Sequence, residues 1–107
     1  METLFNKIIN KELPADILFE NKRIIAFYDI NPAQKGHFLV VPKTYSRNLI
    51  TIKDNDLKYC FSMARKLALK EMKKQSVDGF RIIVNNEATS KQVVFHTHIH
   101  VIPSPKI

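Results

Sequence analysis

Three of the four histidines in this 107-residue chain are spaced by two near the C-terminus. They are His96, His98 and His100, and the intervening positions hold Thr97 and Ile99. On a β-strand the three imidazoles would lie on one face, because side chains alternate between the two faces of a strand. Three imidazoles in a row would be costly to bury without partners, so the spacing favours a functional site.

Two kinds of chemistry fit these histidines. Alternate histidines can ligate zinc, but His96 and His100 would start roughly 13 Å apart on a strand that rises about 3.3 Å per residue. The other chemistry is nucleophilic catalysis, since a neutral imidazole attacks phosphorus well and neighbouring histidines can fix its tautomer. His98 would then attack an α-phosphate, and water would release a nucleoside monophosphate. The spacing favours this second chemistry, with metal binding as the alternative.

Composition limits the partners. Lysine and arginine number 17 against 10 acidic residues, and the formal charge of +7 attracts anions such as nucleotides. No basic block exceeds Lys73-Lys74 and there is no tryptophan, so no dedicated nucleic-acid interface is predicted. The single Cys60 and the absence of an N-terminal apolar run predict a cytoplasmic protein with no membrane segment. The length predicts a single domain over residues 1–107, and no cofactor is predicted.

Hydrophobic periodicity predicts the elements that position the histidines. Apolar residues at helical spacing predict a short helix at residues 4–11 and a long helix after Asp54, its expected N-cap, while residues 44–50 are predicted to form a helical turn. Five antiparallel strands are predicted at residues 16–20, 23–29, 37–41, 80–86 and 93–102. The predicted fold class is therefore α+β, a five-stranded antiparallel sheet with one long and one short helix.

The His-x-His-x-His pattern followed by apolar residues resembles the signature of the histidine triad (HIT) family. Residues 4–9 with 12–14, and residues 26–30, 36–43 and 81–86, resemble further family segments in the same order, so the likeness covers nearly the whole chain. The resemblance implies a HIT-like fold and a hydrolase that acts at the α-phosphate of purine nucleotide conjugates through a nucleotidyl-histidine intermediate. The implied substrates are phosphoramidates, acyl-adenylates or dinucleoside polyphosphates that contain AMP. It also implies a homodimer whose two sheets join.

The resemblance further implies roles for individual residues. His98 resembles the nucleophile, His96 and His100 resemble its flanking partners, and His37 resembles a fourth, supporting histidine. The residues implied to contact the nucleotide are Phe5, Ile8, Phe27, Asp29, Ile30, Asn85, Gln92 and Val93. Among these, the residues that resemble the apolar walls of the base pocket are Phe5, Ile8, Phe27 and Ile30. Asp29 resembles the acid that holds the ribose hydroxyls, and Asn85 and Gln92 resemble polar residues near the phosphates.

Three positions depart from the family pattern. Val93 occupies the place of a serine that can protonate a departing amine, and Lys91 occupies the place of a common glycine. The chain also stops soon after Pro103, where relatives often continue. These departures keep a second function class open, a nucleotide- or partner-binding regulatory module with weak catalysis, beside the metal-binding alternative.

Overall fold

The computed structural model describes residues 2–106 and has two helices beside one five-stranded antiparallel sheet, as predicted. The elements in chain order are α1 (Leu4–Ile9), β1 (Ile17–Glu20), β2 (Ile24–Tyr28), β3 (Phe38–Pro42), α2 (Asp54–Gln75), β4 (Phe80–Ile83), a 3₁₀ turn (Ala88–Ser90) and β5 (Ile99–Pro103). The strand order is β1-β2-β3-β5-β4, so the strand that contains His100 lies inside the sheet and β1 and β4 are its edges. This arrangement confirms the α+β fold class.

The two faces of the sheet bury different sets of apolar residues, because alternate side chains of a strand point in opposite directions. On the face covered by α2, the core contains Ile24, Ala26, Phe38, Val40, Ile99 and Val101. On the face covered by α1, a second cluster contains Phe5, Ile8, Ile25, Phe27, Leu39 and Val41. The alternation along β2 and β3 therefore sets which side chains can reach a site beside α1.

Helix α2 packs one stripe of small and branched side chains against the first face. Cys60, Ala64, Leu67 and Ala68 recur at intervals of three and four, as an amphipathic helix requires. Burial raises the pKa of the Cys60 thiol to about 12, which leaves it protonated and unreactive near neutral pH.

Several boundaries differ from the prediction. Asp54 is the first residue of α2 rather than its cap, and the cap position is taken by Lys53 without a side-chain bond. The short helix ends at Ile9, and residues 44–50 form an irregular loop with a turn instead of a helical turn. Neither helix of residues 2–106 combines the length with the apolar character that crossing a bilayer requires.

The largest difference lies at the fifth strand, which begins at Ile99 and not at residue 93. The amide of Thr97 donates to the carbonyl of Ser46 at 2.8 Å, so residues before β5 bond to the loop that follows β3 and not to a neighbouring strand. The prediction that all three histidines share one strand is therefore wrong. His100 belongs to β5, whereas His96 and His98 lie in the irregular segment that leads into it.

Candidate active site

A cavity of about 590 Å³ opens on the α1 face of the sheet. This volume lies within the range of small-molecule sites in proteins. Nine of the residues predicted for the site line it: Phe5, Ile8, Phe27, Asp29, Ile30, Asn85, Val93, His98 and His100. His37, Gln92 and His96 lie behind the lining, so the cavity combines an apolar wall with a polar centre formed by two imidazoles.

The tautomer of His98 follows from its one backbone contact. Its Nδ1 lies 2.8 Å from the carbonyl oxygen of His96, which can only accept a hydrogen bond. Nδ1 therefore carries the proton, and the Nε2 of a neutral ring carries a lone pair. The ring edge-packs on Phe5 with 4.9 Å between centroids, and burial lowers the pKa of His98 below its ordinary value. The ring is thus neutral at physiological pH and able to act as a nucleophile.

A second chain of hydrogen bonds fixes His100. The backbone amide of Ala33 donates to Nδ1 of His37 at 3.0 Å, so the proton of a neutral His37 is on Nε2. That Nε2 lies 3.0 Å from Nδ1 of His100 and donates to it, which leaves the His100 proton on Nε2. Burial, with His98 and His37 nearby, lowers the pKa of His100 to about 4. His100 therefore presents a neutral N–H donor.

Asp29, directly after β2, stands beside this chain. Its Oδ2 lies 3.6 Å from Nε2 of His37, and its backbone amide donates to the carbonyl of His37 at 3.0 Å. Burial lowers the pKa of His37 more than Asp29 raises it, so the histidine remains neutral. Asp29 also lines the cavity and is only partly buried, so its carboxylate is placed to accept hydrogen bonds from a ligand.

His96 is fully buried and held at both ring nitrogens. Nε2 lies 2.8 Å from the carbonyl of Pro42, and Nδ1 lies 3.1 Å from the hydroxyl of Thr3. Burial lowers the pKa of His96. Sequence reasoning missed Thr3 because a polar residue before a helix signals an N-cap, whereas nothing in the chain signals a partner 93 residues away.

Gln92, which was predicted to lie near the phosphates, is buried behind the cavity lining. Its amide oxygen accepts from the Glu87 amide at 2.7 Å, and its amide nitrogen donates to the Arg47 carbonyl at 2.7 Å and to the Val94 carbonyl at 3.0 Å. These bonds occupy the side chain and bury it behind the cavity wall. Gln92 therefore shapes the segment between β4 and β5 instead of facing the cavity.

The same segment is held by a network that the sequence does not reveal. The Arg47 guanidinium bonds both carboxylate oxygens of Glu87 at 2.8 and 3.0 Å, and Asn48 donates to the same carboxylate at 2.7 Å. Hydrogen bonds from Arg47 and Asn48 lower the pKa of Glu87. Glu87 and Lys91 both adopt positive φ angles, 79° and 71°. The hydrogen bonds to Glu87 therefore hold the backbone in a conformation that residues other than glycine rarely adopt.

The apolar residues predicted to contact the nucleotide divide into two groups. Phe5, Ile8 and Phe27 are buried, and the rings of Phe5 and Phe27 meet edge to face with 5.5 Å between centroids. Ile30 and Val93 line the cavity but are 90% and 83% exposed. The first three form the inner wall of the cavity, and the last two form its rim.

One group of side chains among residues 2–106 has the spacing of a metal site. Asp29, His37 and His100 bring one ligand atom each within 4.8 Å of one another. A metal on Nε2 of His37 would move the proton of that ring to Nδ1, where it would meet the donating amide of Ala33. The backbone therefore favours a proton between the two histidines, which argues against the metal alternative.

The sheet order and the buried imidazoles beside the cavity define an α+β protein with a histidine-centred candidate ligand site. The chain belongs to the HIT family, because the HIT domain profile matches residues 10–107. It is 54% identical over 102 residues to an uncharacterized HIT-like protein of Mesomycoplasma hyorhinis. The aligned residues cover 95% of this chain and 92% of the relative.

Solved structures agree with this assignment. A hypothetical histidine triad nucleotide-binding protein from Sulfolobus tokodaii superposes with a TM-score of 0.93 at 30% identity, over 96% of this chain and 69% of that one. A HIT family hydrolase from Clostridium thermocellum superposes with a TM-score of 0.83 at 35% identity, over 99% of this chain and 96% of that one. The histidine triad resemblance and the HIT-like fold are thereby confirmed.

Proposed function

We propose that this protein hydrolyses purine nucleotide conjugates at the α-phosphate, with His98 as the nucleophile. The observation that carries the proposal is the hydrogen bond from Nδ1 of His98 to the carbonyl of His96, which leaves a lone pair on Nε2 of a ring that lines the cavity. A neutral imidazole with one free nitrogen is what attack on phosphorus requires.

The proposed reaction has two displacements. Nε2 of His98 forms a bond to the α-phosphorus while the bond to the leaving group breaks, and the leaving group takes the electron pair, together with a proton from solvent when it is an amine. The resulting nucleotidyl-imidazolium keeps its proton on Nδ1, which still donates to the carbonyl of His96. Water then forms a bond to phosphorus, the nitrogen–phosphorus bond breaks, the water proton passes to solvent, and AMP leaves.

His100 and His37 would support both displacements. The Nε2–H of His100 is a preformed donor, and His100 packs beside His98 with 4.9 Å between ring centroids. A donor at that position can stabilise charge on a nonbridging phosphate oxygen as the transition state forms. His37 fixes the direction of the donor and does not line the cavity.

The remaining lining residues fit the parts of a nucleotide. Phe5, Ile8 and Phe27 offer an apolar inner wall for a flat purine base, and the Asp29 carboxylate can accept from both ribose hydroxyls. Asn85 lines the cavity after β4 and would donate to the phosphates. Two structural neighbours named as a nucleotide-binding protein and as a hydrolase support this assignment.

A homodimer is part of the proposal. The strand order leaves β4 at one edge of the sheet, and an edge strand presents unpaired backbone groups that a second copy can pair with. Pairing two β4 strands would join the two sheets into one, as the family resemblance implies. Light scattering at low concentration tests this state, and a monomer mass would contradict it.

The catalytic proposal is tested by trapping the covalent intermediate and measuring its stability in acid and in base. The protein is mixed with a radiolabelled AMP conjugate, denatured rapidly, and digested for mass spectrometry. We expect an adenylyl group on His98 that is stable in base and lost in acid. His98→Asn serves as the control and should carry no label. If nucleotide binds tightly to the wild-type protein without turnover or adduct, the regulatory binding module is the correct function.

A further inference from the structure

The residue before α1 contacts a histidine that lies 93 positions later in the chain. Thr3 is the N-cap of α1, and its Oγ1 lies 3.1 Å from Nδ1 of His96. On the other side of the same ring, Nε2 lies 2.8 Å from the carbonyl of Pro42. Because a carbonyl only accepts, Nε2 carries the proton of the neutral ring and Nδ1 is an acceptor. The hydroxyl of Thr3 must therefore donate to His96.

The capping box of α1 leaves the Thr3 proton available for this bond. The Thr3 oxygen accepts from the amide of Asn6 at 3.2 Å, and the Asn6 side-chain oxygen accepts from the amide of Thr3 at 2.9 Å. The hydroxyl proton has two acceptors in reach, the Asn6 oxygen at 3.0 Å and Nδ1 of His96. The Asn6 oxygen already has a donor. The buried Nδ1 takes its bond from Thr3, because an unpaired buried acceptor is costly.

His96 in turn orients the proposed nucleophile. Its main-chain carbonyl accepts the Nδ1 proton of His98 at 2.8 Å, while its ring is held by Thr3 and Pro42. Two residues after Thr3, Phe5 packs on both rings, with centroid distances of 6.0 Å to His96 and 4.9 Å to His98. The start of α1 thus contacts the support of the nucleophile and the nucleophile itself.

We infer that Thr3 is a positioning residue, whose hydroxyl donates to Nδ1 of the Nε2–H tautomer that the Pro42 carbonyl sets, and which thereby helps to hold the His96 carbonyl that orients His98. The inference rests on the proposed function for its catalytic consequence, but the tautomer itself does not depend on catalysis. Thr3 does not line the cavity and would not contact substrate. Its hydroxyl has two separable tasks, which are to accept for the helix cap and to donate to His96.

Two substitutions separate these tasks. Thr3→Asp keeps a strong N-cap, because aspartate accepts from helix amides as well as threonine does, but a carboxylate has no proton to donate. Asn6→Ala removes half of the capping box and keeps the Thr3 hydroxyl. The titratable groups that face His96 are His98 on its own segment and Tyr45 on the loop after β3, whose ring centroid is 5.3 Å away. A new carboxylate at position 3 would favour the protonated His96 ring.

The experiment measures imidazole nitrogen chemical shifts in the ¹⁵N-labelled protein, together with kcat and KM for hydrolysis of one AMP conjugate. In the wild type we expect His96 as the neutral Nε2–H tautomer. In Thr3→Asp we expect a protonated His96 and a kcat about tenfold lower, with KM little changed, because a charged ring beside His98 disfavours the imidazolium that forms when His98 attacks phosphorus. Thr3→Ser restores both tasks and should recover the wild-type shifts and kcat.

The outcomes distinguish the alternatives. Asn6→Ala should lower the melting temperature while His96 keeps its tautomer and kcat stays high. A wild-type spectrum with the His96 proton on Nδ1 would overturn the inference even if Thr3→Asp failed to fold. An unchanged tautomer and kcat in folded Thr3→Asp would make Thr3 a helix cap only. Failure of the proposed function would appear separately, as normal turnover in His98→Asn with the His96 tautomer as inferred.

Discussion

The two faces of the sheet are covered by helices of very different length. On one face the 22 residues of α2 lie over a continuous apolar core, whereas on the other face the 6 residues of α1 leave the cavity beside His98 and His100. The same strands serve both faces, since β2 and β3 send alternate residues to each. The long helix thus stabilises the sheet, and the short helix leaves room for a ligand.

The imidazoles follow the same division. The α1 face holds a connected set of imidazoles whose protons are fixed by backbone carbonyls and amides. The thiol of Cys60, on the α2 face, has its pKa raised to about 12 by burial and takes no part in such a set. Buried polar side chains are destabilising unless they are paired, and each imidazole of the α1 face has a hydrogen-bond partner.

The largest expected effect is on turnover. His98→Asn should lower kcat by about 10³-fold or more, because the covalent step is lost, while nucleotide affinity changes by less than about threefold. The matched substitution on the other face, Cys60→Ala, should leave kcat unchanged. Single-turnover kinetics and nucleotide titration measure the two quantities. Equal losses in both variants would contradict the division between the faces.

Removal of one phenylalanine from each face should separate stability from binding. Phe38→Ala should cost about 3–5 kcal/mol of unfolding free energy, because Phe38 is fully buried under α2. Phe5→Ala should cost less, about 2 kcal/mol, since one side of Phe5 already borders the cavity, but it should raise KM about tenfold. Urea unfolding and steady-state kinetics test the pair. A larger stability loss from Phe5→Ala would contradict it.

Acid should destabilise the protein through the α1 face. Burial lowers the pKa of all four histidines, namely His37, His96, His98 and His100. The unfolded chain therefore binds more protons than the folded one below pH 6.5, and stability falls as pH falls from 6.5 toward 4. We expect the melting temperature to drop by about 5–10 °C between pH 6.5 and 4.5.

Two carboxylates with lowered pKa values do not contribute to the change in stability between pH 6.5 and 4.5. Glu20 and Glu87 have lowered pKa values, so the stability they contribute is present above pH 4.5 and is lost only below it. A melting temperature that stays flat from pH 6.5 to 4.5 would show that the histidines are not buried as neutral rings.

The smallest expected effect concerns the rim of the cavity. Val93 is largely exposed there and has no proton to give a departing amine. Val93→Ser should raise kcat/KM for an alkylamine phosphoramidate by about threefold, because a hydroxyl can assist the leaving group, and should leave dinucleoside polyphosphate hydrolysis unchanged. Val93→Ala is the control without a proton. An equal gain in both variants would mean that only the size of the side chain matters.

Local patterns predicted the elements that repeat regularly. The spacing of three and four along α2 and the alternation along β2 and β3 set the inward side chains, and both patterns agree with the structure. These elements are predictable because their backbone hydrogen bonds stay within the helix or between regular strands, so the side-chain period alone fixes the buried face.

The site was less predictable because tertiary hydrogen bonds shape it. Histidines recur at every second residue from His96 to His100, as on one face of a strand. The amide of Thr97 nevertheless donates to the carbonyl of Ser46, so this segment pairs with a loop and not with a strand. Nothing in the local sequence distinguishes Gln92 from an ordinary polar loop residue, and only the fold shows that its side-chain amide donates to the carbonyl of Arg47. Such contacts join positions more than 40 residues apart, so no local window contains them.

The bond from Ala33 to His37 has a further consequence for how this site can vary during evolution. The donor is a main-chain amide, which every amino acid except proline provides. Position 33 should therefore tolerate almost any side chain. A proline at position 33 would remove this donor, and the hydrogen bond between His37 and His100 could then reverse its direction. Selection to keep this donor would favour no particular amino acid at position 33, and would be detectable only because proline is avoided there.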